Sequence, residues 1–174
     1  IGDATLHTTT YNGFGEECVT AIEAINITQE ENFHDKSLKI EKIVNERCKK
    51  LMSKFGNQVS ECKGKGSLHG IFLKTNTGFG KMLSLLPLNL TKDKKFLPKL
   101  MAAAISDWLF KNFKIYVLFS TTEKVALLFT PSLIIDEKEI HYFFDSLESA
   151  FEKGVWKIVA KFSSKQFSQN ITFD

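Results

Sequence analysis

Gln58-Val59-Ser60-Glu61-Cys62-Lys63-Gly64-Lys65-Gly66-Ser67-Leu68-His69-Gly70-Ile71-Phe72-Leu73-Lys74 is the stretch whose reading decides the fold. Val59, Glu61 and Lys63 alternate weakly and read as a short strand over 58–63. Gly64-Lys65-Gly66 breaks it, and 68–74, rich in Ile and Phe, reads as a second strand. A further pair of apolar runs, 115–120 and 125–130, is separated by Thr121-Thr122-Glu123-Lys124, as a hairpin or as neighbouring strands. Strands that come in pairs, rather than each followed by a helix, favour an α+β fold: an antiparallel sheet covered by helices.

The helices follow from apolar spacing. Small and apolar residues from Glu16 to about Ile27 predict a first helix, and Leu38, Ile40, Ile43, Val44, Arg47, Cys48, Leu51 and Phe55 predict a second with one apolar face. Gly56-Asn57 is its stop signal. A third pattern runs over 96–112, with Leu97, Leu100, Met101, Ala104, Ile105 and Trp108 on one face. Asp136 and Glu139 form a capping pair ahead of Ile140, Phe143, Phe144, Leu147 and Phe151, and Gly154 ends that helix. A last helix is predicted over 155–167 from Trp156, Val159, Ala160 and Phe162 as its apolar face, with a loose tail beyond Ser168. Residues 1–15 read as loop or turn. Residues 75–95, with Gly78, Gly80, Pro87 and several lysines around an apolar run, read as a crossing loop or flap, with room for a short strand.

Composition narrows the function classes. The chain has 174 residues, 43% hydrophobic and 25% charged, enough for one domain with a sizeable core and short for two. Its 16 phenylalanines point to a generous core. Net charge is +3 with 20 acidic residues interspersed, so no clustered basic face argues for nucleic acid. No apolar run reaches the ~20 residues of a membrane span, and no signal peptide opens the chain. Cys18, Cys48 and Cys62 are odd in number and match no metal spacing, which suggests reduced thiols and a cytoplasmic setting. The four histidines are scattered, with no second ligand at metal spacing.

Four stretches, in order, carry a resemblance. The first is His7-Thr8-Thr9-Thr10-Tyr11-Asn12-Gly13-Phe14-Gly15-Glu16-Glu17-Cys18. The second is 62–71, with its Lys63-Gly64-Lys65-Gly66 turn and Gly70. The third is Leu127-Leu128-Phe129-Thr130-Pro131-Ser132-Leu133-Ile134-Ile135, and the fourth is the acid-capped helix of 136–151. Together these resemble the C-terminal part of class III (ornithine/acetylornithine-type) aminotransferases, which depend on pyridoxal 5'-phosphate (PLP).

The resemblance implies the small C-terminal domain of a fold type I PLP enzyme for 29–174. It implies that 1–28 is the remnant of the large PLP-binding domain with the connecting helix. The parent would be a homodimer with composite active sites, moving an amino group between an amine or amino acid and a keto acid or aldehyde. The lysine that holds the cofactor would lie upstream, so the 174 residues alone are expected to be inactive and not to hold the cofactor. Thr9 and Thr10 match the turn that binds the phosphate of the partner subunit's cofactor. Phosphate requires donors on a tight turn.

Two departures stand out. The proline of the family's glycine-glycine-asparagine-proline turn is absent at Asn12-Gly13-Phe14-Gly15. Leu128 stands where many members have an arginine that clamps a substrate carboxylate, and leucine cannot make a bidentate contact. These departures motivate the alternative of a non-catalytic interaction or regulatory module on the same scaffold. His69 is read as a surface strand residue, with a substrate channel as the other possibility, and Lys63 and Lys65 as a solvated turn.

Overall fold

A computed structural model describes residue 10 and residues 14–75, 95–122 and 124–169, the last five by backbone alone. The expectations for 76–94 and for the extreme N-terminal segment lie outside the described residues. The chain divides into two compact units, Ile1–Lys36 and Ser37–Asp174.

The first unit contains α1 (Gly15–Glu30) and the first turn of α2 (Phe33–Phe55). Phe14 offers α1 no side-chain cap, and none of the residues of α1 is buried. Asn32, in left-handed conformation at φ 50°, separates the two helices. Asparagine tolerates that conformation better than other non-glycine residues because its short polar side chain bonds locally. Here its side-chain amide donates to Asp35 Oδ2 at 2.7 Å.

The second unit holds the rest of α2, then β1 (Val59–Lys65), β2 (Leu68–Leu73), α3 (Phe96–Phe113), β3 (Leu118–Phe119), β4 (Ala126–Phe129), α4 (Glu137–Lys153) and α5 (Val155–Gln169). The four strands form one antiparallel sheet in the order β1-β2-β4-β3. The α+β architecture and the pairing of consecutive strands are thus as expected from sequence. What the local patterns did not specify is that β4, last in the chain, inserts between β2 and β3. His69 pairs with Phe129 and Ile71 with Leu127, while Leu118 lies opposite Leu128.

Period-two alternation splits β4 between two environments. Leu127 and Phe129 join Ile71 in one core with Val44 and Leu51 of α2, Met101, Ile105 and Leu109 of α3, Phe144, Leu147 and Phe151 of α4, and Val159 of α5. The aromatic centre of this core is tight. Phe129 stacks on Phe143 at 4.5 Å between centroids, and Phe143 meets Phe144 edge-on at 5.2 Å. Arg47 lies over Phe144, 5.6 Å from the centroid, and donates to Asp145 at 2.5 Å and Glu148 at 2.9 Å. The arginine in the apolar stripe of α2 therefore spends its stem on the core and its charge on α4.

Four expectations are corrected. Leu38 is not part of the core; it is 45% exposed. Ala160 of α5 is likewise exposed, and Val155 and Ile158 fill the buried face instead. Asp136 is the N-cap of α4 but makes no side-chain cap bond, and Glu139 N–H bonds the Asp136 carbonyl at 3.0 Å instead. The strand expected over 115–120 pairs only at Leu118 and Phe119. Lys114 ends α3 at φ 59°, and the Val117 carbonyl, which this register turns away from β4, accepts from the Ser106 hydroxyl at 2.8 Å and ties the segment to α3.

Phe144 is fully buried among aromatics. Phe144→Ala is expected to lower the free energy of unfolding by about 3–5 kcal/mol, read by urea titration. A loss within 1 kcal/mol would mean that this aromatic centre is not the core's keystone.

Candidate functional site

The turn that carries Thr9 and Thr10 is described only at Thr10. That residue lies in a turn and is exposed; Thr9 lies outside the described residues. An exposed threonine hydroxyl at a turn suits an anion approaching from outside the chain. It builds no enclosed pocket by itself.

Leu128 is half-buried on the side of β4 opposite Leu127, paired with Gly70 on one flank and Leu118 on the other. It lines a cavity of about 450 Å³ with Tyr116, Leu118, Pro131, Glu139 and Tyr142. The cavity exists because β3 is only two residues long. The ladder stops at Leu118, leaving Tyr116 78% and Leu118 53% exposed, and the chain after Phe129 turns away through Pro131 towards α4. Tyr142 is anchored there by donating to the Phe113 carbonyl at 3.2 Å. Among the described residues, Glu139 is the one charged residue in the lining, with no cation beside it. Its chemistry is therefore that of an apolar recess with two phenols and a carboxylate, which would not attract a carboxylate group.

His69 is corrected outright. It is 1% exposed and on the core side of β2, so it is neither a surface residue nor open to a channel. Its Nε2 lies 2.9 Å from the Gly66 carbonyl, and its ring packs against Gly64, where any Cβ would collide with the imidazole and the Leu68 carbonyl. The histidine closes the β1–β2 turn from inside, and Gly64 must be glycine to let it in. Outside that turn, Gly66 N–H donates to Glu41 of α2 at 2.8 Å. Lys63 is exposed and pairs with Glu61 at 2.8 Å, and Lys65 is exposed; both are solvated, but they lie on β1, paired with Gly70 and Leu68, and not in the turn expected for them.

The cysteines are free, and no cluster of metal-ligating side chains occurs among the described residues. Interaction of the Cys48 thiol of α2 with the Cys62 thiol of β1, together with burial, pushes the Cys62 thiol well above its ordinary range, while the same interaction lowers that of Cys48. Neither this contact nor the role of His69 carries a sequence signal, because each joins residues through packing rather than spacing. No helix among the described residues is long and apolar enough to cross a membrane.

The fold is that of part of an aminotransferase. A transaminase from the marine bacterium Virgibacillus superposes on 93% of this chain with a TM-score of 0.64 at 18% identity, using 32% of its own length. An adenosylmethionine-8-amino-7-oxononanoate aminotransferase from Methanocaldococcus jannaschii matches 88% of the chain at TM-score 0.58 and 24% identity, over 32% of its length. A Bacillus anthracis aminotransferase matches 84% at TM-score 0.57 and 21% identity, over 30% of its length. No protein-family model and no curated protein sequence matches the chain significantly. The chain thus spans under a third of the length of these aminotransferases, at identities that speak for the fold alone.

Native protein treated with a thiol-reactive disulfide reagent near pH 8 is expected to release about one fast equivalent, from exposed Cys18, with all three cysteines reacting after denaturation. Labelling of Cys62 as fast as Cys18 would contradict the shielding of this half-buried thiol by Cys48.

Proposed function

We propose that this chain works as the small C-terminal domain of a larger, class III PLP-dependent aminotransferase, with 1–28 contributing the end of the large domain and the connecting helix. The supporting observation is the superposition of 93% of the chain on 32% of a transaminase. The order of the four sequence stretches points the same way. In α1, Val19, Ile22 and Ile25 are each more than half exposed, which suits a helix covered by a further domain.

On this reading the partners are the large domain and a second subunit of a homodimer, the setting is cytoplasmic, and the substrates are a small amine or amino acid with a keto acid or aldehyde. PLP supplies the electron sink for moving the amino group. By resemblance, this chain contributes the Thr10 hydroxyl, with a backbone N–H at Thr9, to hold a phosphate across the subunit boundary. The recess at Leu128 favours an amino donor that lacks a carboxylate at that position, because its lining, among the described residues, supplies a carboxylate of its own and no cation.

The 174 residues alone, supplied with PLP, an amine and a keto acid, are expected to show no transamination; turnover by the isolated chain would refute the domain assignment. In the protein that joins the chain to its cofactor domain, Thr10→Val is expected to weaken PLP binding about tenfold or more, from loss of a hydrogen bond to a charged group. Unchanged affinity in an equilibrium titration followed by cofactor absorbance would remove Thr10 from the phosphate site.

A further inference from the structure

A second cavity, of about 180 Å³, lies between α3 and α5, away from Leu128 and its recess. Its apolar lining comes from Trp108 of α3 with Ile158 and Phe162 of α5. Its rim is basic: Lys111 of α3, Lys153 at the end of α4, and Lys157 and Lys161 on α5. Among the described residues the lining has one carboxylate, Asp107, which is already bound to Lys111 at 2.6 Å. Lys153, Lys157 and Lys161 make no ion pair with any described residue.

Gly154 brings this rim together. At φ 92° it takes a backbone conformation that side-chain-bearing residues rarely adopt, and it ends α4 and starts α5 within one residue. Lys153 therefore arrives from one helix axis and Lys157 and Lys161 from another, one turn apart, and all three border the same hollow.

Like charges held around a low-dielectric hollow raise its positive potential and concentrate anions there. The volume limits the apolar part of an occupant, since a dry cavity of about 150 Å³ admits a single benzene ring. We propose that this cleft binds a small anion built on one aromatic ring, such as a phenyl phosphate or an aryl carboxylate. The ring sits against Trp108, Ile158 and Phe162, and the acid group lies among Lys153, Lys157 and Lys161. The ring needs the hollow and the acid needs the rim, so neither half alone is a good ligand.

The test uses the full chain with Trp156→Phe, so that Trp108 is the only indole, titrated with phenyl phosphate and followed by tryptophan fluorescence. Saturable binding is expected, weakened about fivefold or more by Lys157→Gln with Lys161→Gln, as befits loss of two solvent-exposed charges, and weakened by added salt. Inorganic phosphate and benzyl alcohol, each carrying half of the ligand, are expected to bind far more weakly. Lys124→Gln, on the turn before β4, should leave binding unchanged, and circular dichroism should show the variants folded. Equal binding of benzyl alcohol would reduce the cleft to a plain apolar hollow and overturn the proposal. So would equal binding of inorganic phosphate, unchanged affinity in the double lysine variant, or the absence of saturation. None of these outcomes depends on PLP or on transamination, so the cleft and the domain assignment stand or fall separately.

Discussion

The rest of the structure depends on the two-sidedness of β4. Four residues, alternating in direction, must bury Leu127 and Phe129 against Ile71, Phe143 and Phe144 while turning Leu128 the other way. That alternation fixes the register of the sheet, because a slip by one residue would exchange the buried and open sets. It also links core to site. The side chain available to the recess is whichever residue falls opposite the core leucine, and in this chain it is another leucine.

Packing around β4 explains why polar groups occupy unusual places. His69 is buried because the β1–β2 turn carries a carbonyl that needs a partner on the inner side, and glycine at 64 leaves space for the ring. Arg47 can lie among apolar residues because α4 presents Asp145 and Glu148 to its guanidinium at the edge of Phe144. Both cases place a titratable residue in a structural role, and neither marks catalysis.

Much of the fold was legible from local pattern. The core faces of α2 and α4 follow the spacing of Val44, Leu51, Phe144 and Phe151, since helical periodicity and burial are set by the same geometry. The turn at Gly154 follows from glycine's conformational freedom. Other features were not legible for reasons that are equally local. The ladder at 115–120 is two residues long, with Val117 held to a serine of α3 on the side away from β4, and Asp136 capped with its backbone rather than its carboxylate. Of the candidate site, Leu128 was visible as an anomaly in a motif, but the apolar recess around it was not, because Tyr116 and Tyr142 come from separate elements.

By itself the sequence determined the α+β class, the element order and which face of each long helix is buried, because these depend on periodicity within ten or twenty residues. Only the tertiary structure decided that β4 lies inside the sheet, that His69 is sealed behind the hairpin, and that four lysines from three helices ring one aromatic hollow. Those outcomes turn on how elements far apart in the chain share space, and strand order, burial of a polar ring and convergence of charges leave no trace in local spacing.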